Sequence, residues 1–122
     1  MPGETLPGVD ALHQLQARSQ REIEAHGPEQ TSPYFVLRAS SLLASLRLWA
    51  QSSGRTDEDV RAVLSDDDPG AGHAAVVELA AVGTEDARTA ARMIGAILGL
   101  PLQERWAIIA TALQVWRVST SE

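Results

Sequence analysis

The sequence predicts an all-α protein, a compact bundle of about six helices. Aromatic residues make up only 4% of the chain, and Ala and Leu dominate, which favours closely packed helices over a β-sandwich. Helix-start residues and glycines recur along the chain at helix-length intervals, and no segment shows the alternation of a strand. The 122 residues suffice for one domain with a single core.

The first eight residues contain two Pro and two Gly and predict a flexible arm. A first helix is expected to begin at Asp10, as its N-cap, with Leu12 and Leu15 on its apolar side. It should end near His26 because Gly and Pro follow. Residues 27–32 are expected to form a polar linker.

Ser32-Pro33 predicts the start of a second helix, because Ser is a favoured N-cap and Pro suits the first helical position. This helix should run to about Ser53 and end at Gly54. It is apolar nearly all round, with a narrow polar stripe. A helix of this kind is expected to lie at the centre of a bundle.

The middle of the chain predicts two shorter helices. Thr56, followed by three acidic residues, should cap a third helix, because carboxylates suit the positive end of the helix dipole. Residues 65–70 are expected to form a turn. A fourth helix should cover about residues 71–82 and stop at Gly83.

Thr84 is the predicted cap of a fifth helix, which should end at Gly99. Gly95 inside it costs about 1 kcal/mol relative to Ala, so we expect it to allow a close helix approach or a bend. A sixth helix should begin at Pro101 and run to about Arg117. The predicted organisation is thus an arm over 1–8, a helical domain over 9–117 and a frayed tail over 118–122.

Composition limits the function classes. The chain has no Cys and no Lys, so disulfides and thiolate zinc sites are excluded, and all ten basic residues are Arg. A net charge of −6 gives no global attraction to nucleic acid or anionic lipid. No signal peptide and no apolar run of about 20 residues is evident, so we expect a cytoplasmic protein without a membrane span.

No pattern typical of catalysis or cofactor binding is present. The three histidines are scattered, and residues 66–68, all Asp, lack the spacing of a calcium loop. There is no phosphate-binding loop and no Gly-x-Ser-x-Gly elbow. Most carboxylates fall at helix starts or in loops, where capping explains them. We therefore expect no enzymatic activity, no metal and no cofactor.

The three tryptophans are expected in the core. Trp49 fits the apolar stripe of the second helix. Trp106 and Trp116 are ten positions apart in the sixth helix, about 80° different in direction. The alternative is that one of these two tryptophans lies at an interface, because buried aromatic residues dominate contact energies there.

Three blocks of sequence resemble the all-α domain of type IV coupling proteins of bacterial conjugation. The first is Ser32-Pro33-Tyr34-Phe35 with the Ala- and Leu-rich residues 39–46. The second covers residues 54–65, and the third runs from Glu104-Arg105 to Thr111-Ala112-Leu113. Together they span about residues 32–117. The chain departs from the family pattern at Ala107 and Ala110, where Ser is usual, and at Trp106, where a small residue is usual.

The resemblance implies a non-catalytic role in recognition. In the coupling proteins this domain is inserted into a RecA-like ATPase at the cytoplasmic face and is thought to receive the relaxase–DNA substrate. The ATPase motifs are absent here, so the chain looks like a stand-alone or excised domain, with a parent protein that could be membrane-anchored. The implied partner is a relaxase or another conjugation or secretion protein.

The predicted partner-binding residues lie near the starts of the fifth and sixth helices: Arg88, Arg92, Glu104 and Arg105. For each, a surface ion pair of little energetic weight is an equal alternative.

Two other functions stay open. One is that the protein is a helix–turn–helix DNA-binding regulator or makes a weak DNA contact. Against it, the third helix offers three acidic residues and only one basic residue, Arg61. The other is a structural helical module that assembles with itself.

Overall fold

The computed structural model describes residues 9–27, 32–65 and 69–120. Within them lie six helices and no strand, which confirms the predicted all-α bundle. No helix in the described residues is long and apolar enough to cross a bilayer. The helices are α1 (Val9–His26), α2 (Pro33–Ser53), α3 (Asp57–Ser65), α4 (Pro69–Val82), α5 (Glu85–Leu98) and α6 (Leu102–Thr120).

Two helices start earlier than the sequence predicts. α1 begins at Val9, so Asp10 is the second residue of the helix and not its cap. α4 begins at Pro69, whose fixed φ suits the first helical position, so the end of the predicted turn is helical. Residues 66–68, the middle of that turn, lie outside the described residues.

α6 also ends later than predicted. It continues three residues beyond Arg117, to Thr120. The Thr120 hydroxyl donates to the Trp116 carbonyl at 2.8 Å, and Ser119 accepts a hydrogen bond from the core. These contacts hold the last turn in place. The predicted arm over 1–8 and residues 121–122 lie outside the described residues.

Local sequence sets most other helix ends. The Ser32 hydroxyl accepts from the Phe35 amide at 3.4 Å, and the Thr84 hydroxyl accepts from the Ala87 amide at 3.1 Å. Thr56 and Asp59 bond reciprocally, side chain to backbone, in a capping box at the start of α3. Gly54 ends α2 with a φ of 67°, a left-handed conformation that favours Gly.

The central helix is α2, which packs against each of the other five described helices. Every residue from Ala39 to Trp49 is buried. Leu42, Leu43 and Leu46 are among the largest fully buried side chains, so α2 supplies the middle of the hydrophobic core. This placement agrees with the nearly continuous apolar surface of its sequence.

A buried arginine joins α2 to two neighbouring helices. The Arg47 residue is only 7% exposed. Its Nη1 donates to the Ser19 hydroxyl of α1 at 2.8 Å, and its Nη2 reaches the Ser119 hydroxyl of α6 at 3.5 Å. The guanidinium carbon lies 5.5 Å from the Trp116 ring centroid, within cation–π range.

The negative partner of this arginine is Glu22 of α1. Its Oε1 lies 2.7 Å from Arg47 Nη2, yet it accepts no aligned hydrogen bond within the described structure. The contact is therefore an ion pair between a buried guanidinium and a partly exposed carboxylate. Arg18 reaches the other oxygen, Oε2, at 3.3 Å from the solvent side.

A second ionic cluster fixes the end of α2 to α4. The Trp49 indole donates to Glu78 Oε1 at 2.9 Å, and the Arg55 guanidinium donates to both Glu78 oxygens. The pKa of Glu78 is lowered, chiefly by the hydrogen bond from Arg55 and next by that from Trp49, while burial opposes the shift. Arg55 also lies over the Trp49 ring.

Gly95 is not required for a close contact within the described chain. A Cβ atom at this position would meet no neighbouring heavy atom within 4 Å. The expected close approach is therefore wrong for Gly95. The tight approach between α4 and α5 occurs at Gly72 instead, where a Cβ would lie 2.9 Å from Leu98 Cδ1.

We predict that Arg47→Ala lowers the free energy of unfolding by about 3–5 kcal/mol, because it leaves the Glu22 carboxylate without its buried partner. The matched control is Arg18→Ala, which removes the exposed partner of the same carboxylate and should cost less than about 1 kcal/mol. Urea unfolding followed by circular dichroism measures both. Equal losses would show that the buried contact carries no special weight.

The lowered pKa of Glu78 predicts that the protein loses stability in acid. Because its folded pKa lies below its ordinary value of 4.5, its contribution is present above that value and is lost as pH falls through the folded pKa. We expect Glu78→Gln to be less stable than the wild type near neutral pH, with a difference that shrinks below about pH 4.

Urea unfolding from about pH 7 to about pH 3 tests this dependence. The matched control is Glu58→Gln, an exposed carboxylate 3.9 Å from Arg61, which should change stability little throughout. A Glu78→Gln difference that stays constant through the acid range would contradict the prediction.

Candidate functional site

The two predicted arginines of α5 are exposed to solvent, and each donates a hydrogen bond to a residue a few positions away in the sequence. Arg88 Nη1 donates to the Gly83 carbonyl at 2.9 Å, just before the start of its own helix. Arg92 Nη2 reaches the Thr89 hydroxyl at 3.3 Å, one turn earlier in α5. Both side chains are exposed, so they can reach a partner, but neither contacts another helix through these bonds.

The two predicted residues of α6 are half-buried and join helices. Glu104 accepts a hydrogen bond from the Tyr34 hydroxyl of α2. Arg105 Nη1 donates to the Leu98 carbonyl at 3.1 Å, which satisfies a backbone acceptor at the end of α5. Their local contacts thus hold the start of α6 against two neighbours.

These four predicted residues do not form one site. Arg88 is attached near the start of α5, whereas Arg105 is attached at its end, at Leu98. Ten residues of helix separate Arg88 from Leu98, a distance of about 15 Å. Arg88 and Arg105 are therefore attached at opposite ends of α5.

A concave surface runs along the outer face of α6, and we call it the α6 groove. Its volume is about 450 Å³. Residues from α3 form one wall and residues from α6 form the floor and the ends. Its lining consists of Leu64, Ser65, Arg105, Trp106, Ile109, Ala110, Leu113, Gln114, Arg117 and Val118.

Trp106 lies in this groove and is 55% exposed, so the expectation that it is a core residue is wrong. Trp49 and Trp116 are buried, as predicted. The reason for the difference is the rotation of α6. Trp116 points inward against Arg47, and Trp106, about 80° away around the same helix, consequently faces solvent.

The α6 groove is bordered by positive charge. Arg105 lies toward one end and Arg117 toward the other. Arg117 is exposed and makes no hydrogen bond or ion pair with the described residues. None of the described residues that line the groove is acidic, although the whole chain carries a net charge of −6. Asp66, Asp67 and Asp68, which follow the lining residue Ser65 in the sequence, lie outside the described residues.

A second cavity of about 370 Å³ lies beside Arg47. Arg18 and Asp57 also line it, so its charges are mixed. Because the Arg47 guanidinium already contacts Ser19, Ser119 and Glu22, we interpret this region as part of the core support.

Sequence reasoning missed Arg47 and Arg117, and it gave a surface position for Trp106 only as the alternative. A signal for Arg47 was present, because it is the only charged residue in the apolar stretch 39–50. The helix repeat places Trp106 and Arg117 about 20° apart on one face of α6, but nothing in the sequence alone fixes whether that face is buried or exposed.

Other kinds of site find no support in the described ranges. No group of three or more His, Asp or Glu residues there could hold a metal ion. On α3, the exposed Asp57 and Glu58 present negative charge, and Arg61 lies 3.9 Å from Glu58. An acidic helix of this kind is poorly suited to DNA phosphates.

No family model, curated protein or solved structure matches the chain. The resemblance to the coupling-protein domain therefore rests on residues 32–117 of the sequence and stays a prediction. What the α6 groove can bind has to be inferred from its own shape and charge.

Proposed function

We propose that this chain is a non-catalytic recognition domain that binds a partner protein through the α6 groove. The observation that carries the proposal is Trp106, a large aromatic side chain left 55% exposed within an apolar concavity. Tryptophan is enriched among the residues that dominate binding energy at protein interfaces. Burial of its exposed surface by a partner would be favourable.

The α6 groove is built on rigid elements, which supports this role. Ile109 and Leu64 are buried in the core while they also border the groove. Helices fixed in this way keep a binding surface in one shape before the partner arrives, which lowers the entropy lost on binding.

For the partner, we propose a relaxase or another component of a conjugative type IV secretion system. The support is the sequence resemblance, and its third block, residues 104–113, lies in the part of α6 that lines the groove. In this proposal the domain acts in the cytoplasm, alone or as part of a membrane-anchored coupling protein. Arg88 and Arg92 remain proposed secondary contacts.

The DNA-binding alternative has no observation in its favour, because the exposed face of α3 is acidic. Self-association would compete for the same apolar surface. It would make the molecular mass depend on concentration, which sedimentation measures directly.

We predict that Trp106→Ala lowers recovery of the partner at least about tenfold, since loss of a central aromatic anchor typically costs about 2 kcal/mol or more. The experiment is a pull-down from nuclease-treated lysate of conjugation-competent donor cells, with recovered proteins identified by mass spectrometry. The supporting result is a relaxase or secretion component that binds the wild type and not the variant.

The matched control is Val77→Ala. Val77 is also 55% exposed, but it belongs to α4, which does not contact α6. This control should recover the partner as the wild type does. Equal recovery by Trp106→Ala would exclude the α6 groove, and recovery that requires intact nucleic acid would favour DNA binding.

A further inference from the structure

The shape of the α6 groove favours a helix as its occupant. The groove runs along one face of α6 and is also lined by Leu64 and Ser65, the last two residues of α3, and a second helix can place its side chains between those of such a face. An amphipathic helix in a groove is a common mode of peptide recognition, with apolar anchors at positions i, i+3 or i+4, and i+7. The described residues contain no strand whose edge could pair with an extended peptide.

The groove length sets the size of this helix. Arg105 and Arg117 are twelve positions apart on α6, or about 18 Å along the helix axis. A partner helix of about three turns has the same length. Between the two arginines, Trp106, Ile109, Ala110 and Leu113 supply an apolar floor.

The charged residues at the groove determine which sign of charge is favourable on a partner. Arg117 is exposed and has no partner within the described residues. Arg105 is bound to the Leu98 carbonyl through Nη1, and a guanidinium carries five N–H donors, so further donors remain. Arginine binds carboxylates in a planar, two-bond geometry.

From these observations we propose that the α6 groove binds an amphipathic helix of the partner protein that carries Asp or Glu beside its apolar face. This inference rests on the proposed function and specifies its chemistry. The net charge of the chain is −6, and those of its charges that lie more than about 8 Å from the groove are screened at physiological salt. The local arginines therefore decide the selectivity.

The test uses a phage-displayed library of 14-residue helical peptides with fixed apolar anchors and randomised flanking positions. We expect peptides selected on the wild type to be enriched in Asp and Glu at a flanking position. On Arg117→Glu, the preference at that position should change to Lys and Arg. A selected acidic peptide should bind Arg117→Glu about tenfold more weakly, by fluorescence anisotropy.

Two further variants make the result specific. The matched control is Arg21→Glu, an exposed arginine of α1 that does not line the groove, which should select the same acidic peptides as the wild type. Arg117→Gln removes the charge without reversing it and should select peptides with a weaker acidic preference. Circular dichroism checks that each variant keeps the helical fold.

The outcomes separate this inference from the proposed function. Selected peptides without a charge preference, or with one that Arg117→Glu leaves unchanged, would overturn the acidic helix. The acidic helix would also be overturned if no peptide bound the wild type better than Trp106→Ala. Relaxase capture that depends on Trp106 would nevertheless keep the recognition function in place.

Discussion

A single buried arginine contacts two neighbours of the central helix at the point where three helices meet. Arg47, in the middle of the central helix α2, contacts α1 through Ser19 and Glu22 and α6 through Ser119 and Trp116. Most other core contacts come from Ala, Leu, Ile and Val, which many alternative registers could satisfy. A buried guanidinium has few acceptable arrangements, because each lost partner leaves an uncompensated polar group. We infer that Arg47 fixes the relative positions of α1, α2 and α6.

The candidate binding surface follows from this constraint. With Trp116 held inward against Arg47, the rotation of α6 is set, and the helix repeat then directs Trp106 and Arg117 toward solvent. The inner face of α6 belongs to the core and its outer face forms the α6 groove. One helix therefore combines a structural and a recognition role, and both depend on the same tertiary contact.

The parts of the fold that depend on local sequence were predictable. Ser32, Gly54 and Thr84 set helix ends through bonds within a few residues, and the apolar surface of α2 predicted its central position. Features that depend on contacts between residues far apart in the sequence were not predictable. α6 extends past Arg117, where Ser119 contacts Arg47, 72 positions away in the sequence. Trp106 was wrongly assigned to the core. The sequence could not show its position, because the rotation of α6 depends on the contact between Trp116 and Arg47. The sequence-based site used charge at helix starts, and the bonds from Glu104 and Arg105 to neighbouring helices could not be read from the sequence.

The most direct test of this arrangement is the solvent accessibility of the three indole groups in the free protein. In ¹⁵N-resolved NMR spectra, a soluble gadolinium chelate broadens the signals of exposed N–H groups, and single Trp→Phe variants assign each indole. We expect strong broadening for Trp106 and little for Trp49 and Trp116. Equal protection of Trp106, or equal broadening of Trp116, would contradict the proposed rotation of α6 and with it the binding surface.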